Sequence, residues 1–104
     1  MVKRSQVRKA QERSYRMFVE AGVPIRADEQ EKIEIVDFGL DQFEKEGMHL
    51  FTMVATERYA AKALALAPLQ TEPEHWHPPI ENDPGKQETV RVAWGTLYFY
   101  LPGE

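Results

Sequence analysis

The segment ETVRVAWGTLYFYL, Glu88 to Leu101, constrains the fold more than any other part of this chain. Val, Thr, Trp, Tyr and Phe crowd it, and such residues fit a pleated, half-buried surface. Gly95 interrupts it, which predicts a turn or bulge that divides it into two strands. Shorter runs of the same kind come earlier. Ile33 to Phe38 reads as a strand stopped by Gly39, and Met48 to Ala55 as a second, after a charged connection from Leu40 to Gly47. Ala61 to Ala67 reads as a third, ended by Pro68, although its alanines would also suit a helix. Gln70 to His77 makes a fourth. Several short strands separated by turn signals predict an all-β sandwich or barrel.

The first part of the chain has a different period. Val7, Ala10, Ser14, Met17 or Phe18, and Ala21 recur at helical spacing, with Ser5 as the expected cap and Gly22 and Pro24 as the stop. Ala27 to Lys32 adds a helical turn. The expected organisation is an N-terminal helical arm over residues 1–32 and a β-domain over residues 33–104. The apolar stripe of the helix is thin, so the helix is expected to lean on something larger than itself.

Charge and composition narrow the function. Residues 1–16 carry six basic side chains against Glu12 alone, so a segment of +5 precedes a remainder of −9 within a net charge of −4. The acidic remainder would repel a phosphate backbone, and the basic segment reads as a solvated helix face rather than a nucleic-acid arm. The sequence has no cysteine, which excludes disulfides and thiol chemistry. No apolar run approaches the roughly 20 residues that span a bilayer, and no secretory leader is visible. A soluble, cytoplasmic protein with no nucleic-acid or membrane partner is the expectation.

The chemistry sits in EHWHPPIENDPGKQE, Glu74 to Glu88. On a strand, His75 and His77 point to one face and Trp76 to the other. A proline-rich loop with Asp83-Pro84-Gly85 can turn the chain back, and Glu88 opens the returning strand. Two imidazoles and a carboxylate form a set that suits Mn(II), Fe(II) or Zn(II) with positions left open for a ligand. His75, His77 and Glu88 are therefore the candidate metal ligands. Lys62 shares a strand face with Leu64 and Leu66. It points into the cavity if that face lines a barrel, and to water otherwise. Lys86 lies two before Glu88, on the same side if the strand already extends there. Both are candidates for holding a substrate oxygen, hence for a catalytic role. His49, beside Leu50 and Phe51, reads as structural or surface.

The order His-x-His, loop, Glu, then Gly seven positions on (His75, His77, Glu88, Gly95) resembles the first motif of the cupin family. That motif usually has Gly six residues before its first His, where this chain has Leu69, with Pro68 available for the turn. Further stretches match more narrowly. They are Lys3-Arg4-Ser5, Asp37-Phe38-Gly39, Leu50-Phe51, Glu57-Arg58-Tyr59, Lys62, Glu74-His75, His77-Pro78 and Gly85-Lys86-Gln87-Glu88-Thr89. Together they look like the cupin-type D-lyxose isomerases.

The resemblance implies a cupin-like jelly-roll or barrel, incomplete here, and a manganese-dependent aldose–ketose isomerase that converts D-lyxose to D-xylulose, as a homodimer. Other divalent metals remain open. A later histidine and a later carboxylate of the family have no position in this chain, so a truncated form is expected. Two other readings stay open, a non-haem iron cupin oxygenase and a non-catalytic cupin that binds a sugar or a metal.

Overall fold

The computed structural model describes residues 3–73 and 88–100. Two compact units divide the chain, Met1–Glu74 and His75–Glu104. In the first, a helix, α1 (Arg4–Glu20), and a 3-10 helix (Ala27–Lys32) precede three strands, β1 (Glu34–Val36), β2 (Met48–Ala55) and β3 (Ala60–Ala65). The strands form an antiparallel sheet in the order β1-β2-β3.

α1 begins one residue before the expected cap. Lys3 holds the N-cap position, and its backbone N–H donates to the Gln6 side chain at 2.9 Å, while Ser5 falls inside the first turn. The buried residues Ala10, Ser14 and Phe18 recur every fourth position and form one stripe along the helix. Two of the three are small, so the helix can approach the sheet closely. The Ser14 hydroxyl donates to the Ala10 carbonyl at 2.8 Å, which satisfies the one polar group in the stripe. Gly22, at φ 80, ends the helix in a left-handed turn, with the Val23 N–H closing on the Phe18 carbonyl at 2.9 Å.

The core lies between α1 and one face of the sheet. Phe18, Ile33, Phe51 and Ala65 are buried together, with Tyr15, Met17, Val23, Ile25, Ile35 and Ala63 packed against them. The Phe18 and Phe51 rings meet at 6.5 Å, tilted by 46°, within the range that favours aromatic pairs. The helix does more than lean on the sheet, because Phe18 supplies part of this core. The Gln11 side-chain amide donates to the carbonyls of Glu31 and Ile33, both at 3.0 Å, and so ties the helix to the entry of β1.

β3 is a strand despite its alanines. Thr52 pairs with Lys62, Phe51 with Ala63, Leu50 with Leu64 and His49 with Ala65. Ala63 and Ala65 therefore face α1, where small side chains make room for the helix, and Lys62 and Leu64 face the other way. An irregularity between Thr52 and Val54 shifts the register near the hairpin end. At that turn the Thr56 hydroxyl accepts from the backbone N–H groups of Arg58 and Tyr59, at 3.2 and 3.1 Å.

After β3 the chain is stitched to the connection between β1 and β2. Thr71 bridges Glu46 in parallel, with N–H···O distances of 2.9 Å from Gly47 to Thr71 and 2.6 Å from Thr71 to Lys45. Buried Gln70 reinforces this by donating to the Phe43 carbonyl at 2.6 Å and accepting from the Ala67 N–H at 3.0 Å. Of the expected strand from Gln70 to His77, residues 70–73 are described, and they form this single bridge at Thr71 rather than a strand, while the rest lies outside the described residues.

Residues 88–100 differ from expectation. Their composition favours a strand, but no ladder forms among the described residues, and the chain bends at Trp94 and Gly95. Propensity alone does not make a strand, since the ladder needs a partner strand about 4.8 Å away. Gly95 takes φ 79, as the expected turn or bulge there requires.

Candidate functional site

Of the three candidate metal ligands, Glu88 lies among the described residues, and it is exposed. His75, His77 and Lys86 lie outside them. Among the described residues no three His, Asp or Glu side chains gather closely enough to hold an ion. The case for a metal at His75, His77 and Glu88 therefore rests on donor chemistry. Two neutral imidazoles and a carboxylate match the preferences of Mn(II), Fe(II) and Zn(II).

Lys62 is placed by β3. Its register partner is Thr52, and it stands with Leu64 on the sheet face that α1 does not cover. Lys62 is exposed and Leu64 is half-exposed. Both belong to the face that sequence alternation assigned to them.

Leu69 bears on the motif as well. It takes φ 67, a left-handed conformation, at the position where the motif usually has glycine, six residues before His75. The turn thus keeps the backbone shape that glycine would supply at lower cost.

The most organised polar cluster among the described residues is one that sequence reasoning passed over. His49, expected to be structural or on the surface, is completely buried near the start of β2. Its Nδ1 lies 2.8 Å from the Ala65 carbonyl, and its Nε2 lies 3.0 Å from a terminal nitrogen of Arg13 on α1. A carbonyl only accepts and a guanidinium only donates, so the proton sits on Nδ1 and Nε2 is bare. The Phe43 ring stands edge-on to the imidazole at 5.1 Å. The other end of the Arg13 fork reaches Glu44 at 3.0 Å, and Arg13 Nε is buried without a hydrogen-bond partner among the described residues. Burial holds the His49 pKa below the ordinary imidazole value and the Arg13 cation adds to this, while the bond to Ala65 and the Glu44 carboxylate oppose it. His49 sits in the middle of an apolar run, and that burial was the available signal. The sequence carried no sign of its partner, which is 36 residues away.

No protein-family model matches the chain. Curated relatives do match, over nearly the whole of this chain. The chain is 47% identical over 104 residues to a D-lyxose/D-mannose isomerase of Thermosediminibacter oceani and 48% identical over 97 residues to a D-lyxose ketol-isomerase of Cohnella laeviribosi. It is 45% identical over 103 residues to a D-lyxose ketol-isomerase of a Thermofilum species. The chain is thus similar to these D-lyxose isomerases over nearly all of its own length. Between 93% and 100% of this chain is covered in these matches, so Lys62, Glu88 and the buried His49 cluster all belong to the part of the chain that resembles D-lyxose isomerases. The chain spans 53–58% of the length of these relatives.

Proposed function

We propose that this protein serves as a metal-dependent aldose–ketose isomerase that interconverts D-lyxose and D-xylulose, on a cupin-type β-fold. The supporting observation is 45–48% identity, over nearly the whole chain, to proteins named for D-lyxose isomerisation. The antiparallel sheet with a helix on one face is compatible with a cupin layout, and so is the left-handed backbone at Leu69.

Isomerisation moves hydrogen between C1 and C2, so negative charge develops on the sugar's oxygens and a proton must be shuttled. In this reading His75, His77 and Glu88 hold a divalent ion, Mn(II) foremost, which supplies Lewis-acid stabilisation of that charge. Lys62 and Lys86 hold substrate oxygens through their ammonium groups. Lys62 suits this because it stands on the sheet face left open by α1. The working form is a homodimer in the cytoplasm. No helix among the described residues is long and apolar enough to cross a membrane.

The test is conversion of D-lyxose to D-xylulose by the protein with Mn(II), beside His75→Ala. Turnover that needs the metal and disappears in the variant supports the reading. Binding of Mn(II) without turnover would instead make the protein a metal-binding relative of the enzymes. Oxygen uptake with Fe(II) would make it an oxygenase.

A further inference from the structure

We propose that the hydrogen-bonded chain Arg13–His49–Ala65 is an acid-released latch that holds α1 on the sheet. The inference is independent of the isomerase reading, because it uses no residue of the proposed metal site.

The geometry sets the condition for closure. His49 is fully buried, and each ring nitrogen is committed to one partner. The contact at Nε2 exists only while that nitrogen is bare, since Arg13 can only donate. A proton on Nε2 would set two donors against each other at 3.0 Å, both cationic, with no acceptor between them. Water cannot easily relieve this, because the imidazole has no exposed surface.

The groups around the ring leave one way out. From α1 comes the Arg13 cation. From the connection before β2 come the Glu44 carboxylate and the edge of the Phe43 ring. β1 presents Ile35, and β3 presents the Ala65 carbonyl. Glu44 is the one anion facing the cluster among the described residues, and it already binds the outer side of Arg13, with its own side chain 68% exposed. An acidified ring is therefore relieved by withdrawal of Arg13 toward Glu44 and solvent. Withdrawal of Arg13 removes the side-chain tie between α1 and the buried His49 of β2, and Phe18, five residues further along α1, is packed on Phe51. Release of the helix would uncover Phe18, Ile33 and Phe51 together.

The sign follows from linkage. The folded protein holds His49 below the ordinary value of 6.5, so the unfolded chain binds the proton more readily. The latch's contribution is whole above that value and is lost as pH falls below it. Each pH unit in the window between the two pKa values lowers the folding equilibrium constant by up to about tenfold.

The experiment is performed on the full chain between about pH 8 and pH 5, the range over which an imidazole titrates. Urea midpoints and hydrogen exchange are followed for the wild type and for His49→Gln. The expected result is a midpoint level at high pH and falling with acid. The α1 amides should lose protection before those of β2, and the acid slope should be absent in the variant. Titration of His75 and His77 is common to both proteins and cancels in the comparison. An equal acid slope in both proteins would overturn the latch. So would an NMR titration of the wild-type His49 ring with a pKa at or above 6.5. The ring titration needs only the wild type, so it decides the matter even if His49→Gln does not fold. Arg13→Met provides a second check, because removal of the cation must shrink the acid slope, and an unchanged slope counts against the proposal.

Discussion

At the scale of single residues, two backbone positions carry constraints that their side chains alone do not reveal. Leu69 adopts φ 67 while its side chain is 98% exposed, so it bears left-handed strain with nothing packed in return. Leu69→Gly is expected to raise stability by about 1 kcal/mol, the strain relieved being partly offset by the greater freedom of glycine in the unfolded chain. A shift of the urea midpoint to higher concentration with an unchanged slope would show it. Gly47 is the opposite case. A Cβ there would lie 2.8 Å from the carbonyl oxygens of both Phe43 and Val36, which are backbone atoms that cannot rotate away. Gly47→Ala should therefore cost about 2–3 kcal/mol, as overpacking of a closed site does, and should lower the melting temperature markedly. A melting temperature within a degree of wild type would mean that the two carbonyls move apart cheaply.

At the scale of elements, the joint between α1 and the sheet dominates. Phe18 is 3% exposed and meets Phe51, Ile33 and Ala65, all on β-strands or at their edges. Phe18→Ala should cost about 3–4 kcal/mol, the usual range for deleting a buried aromatic ring, and should loosen the helix first. Hydrogen exchange would show this as faster α1 amides at unchanged β2 protection; uniform acceleration would mean that helix and sheet unfold as one unit. Much of this joint was legible beforehand. Met48–Ala55 was bounded correctly because its apolar residues lie between a charged connection and a polar turn, and α1 was found by its period and its Gly22 stop. Its cap was placed two residues late, at Ser5, because the helix start is closed by the Gln6 side chain accepting from the Lys3 backbone N–H, which needs no serine. The alanines of β3 left strand and helix open, and pairing with β2 decided the matter.

At the scale of the whole molecule, the proposed metal ligands and the sheet belong to different units. Lys62 belongs to the unit Met1–Glu74, whereas His75, His77 and Glu88 belong to His75–Glu104. A substitution at a ligand should thus separate metal binding from the stability of the sheet. Glu88→Gln is expected to weaken Mn(II) binding by tenfold or more, about 1.4 kcal/mol per factor of ten. It should leave the hydrogen-exchange protection of β2 unchanged. Calorimetric titration beside exchange data checks both halves, and equal Mn(II) affinity in the two proteins would remove Glu88 from the ligand set.

The sequence by itself determined the helix and its stop, three of the strands and their alternating faces, and kinship with D-lyxose isomerases through scattered short matches and the His-x-His, Glu, Gly order. These are local properties: period, turn residues and spacing act within a few positions of one another. Tertiary structure alone decided that His49 is buried and bonded to Arg13, that Gln70 ties the end of β3 to Phe43, and that Gly47 has no room for a methyl group. The first two depend on residues more than ten positions apart being brought within a few ångströms, and the third does so through the Val36 carbonyl, eleven positions from Gly47. Burial then converts an ordinary polar side chain into one whose partner is obligatory, because an unpaired polar group away from water costs about 1–3 kcal/mol.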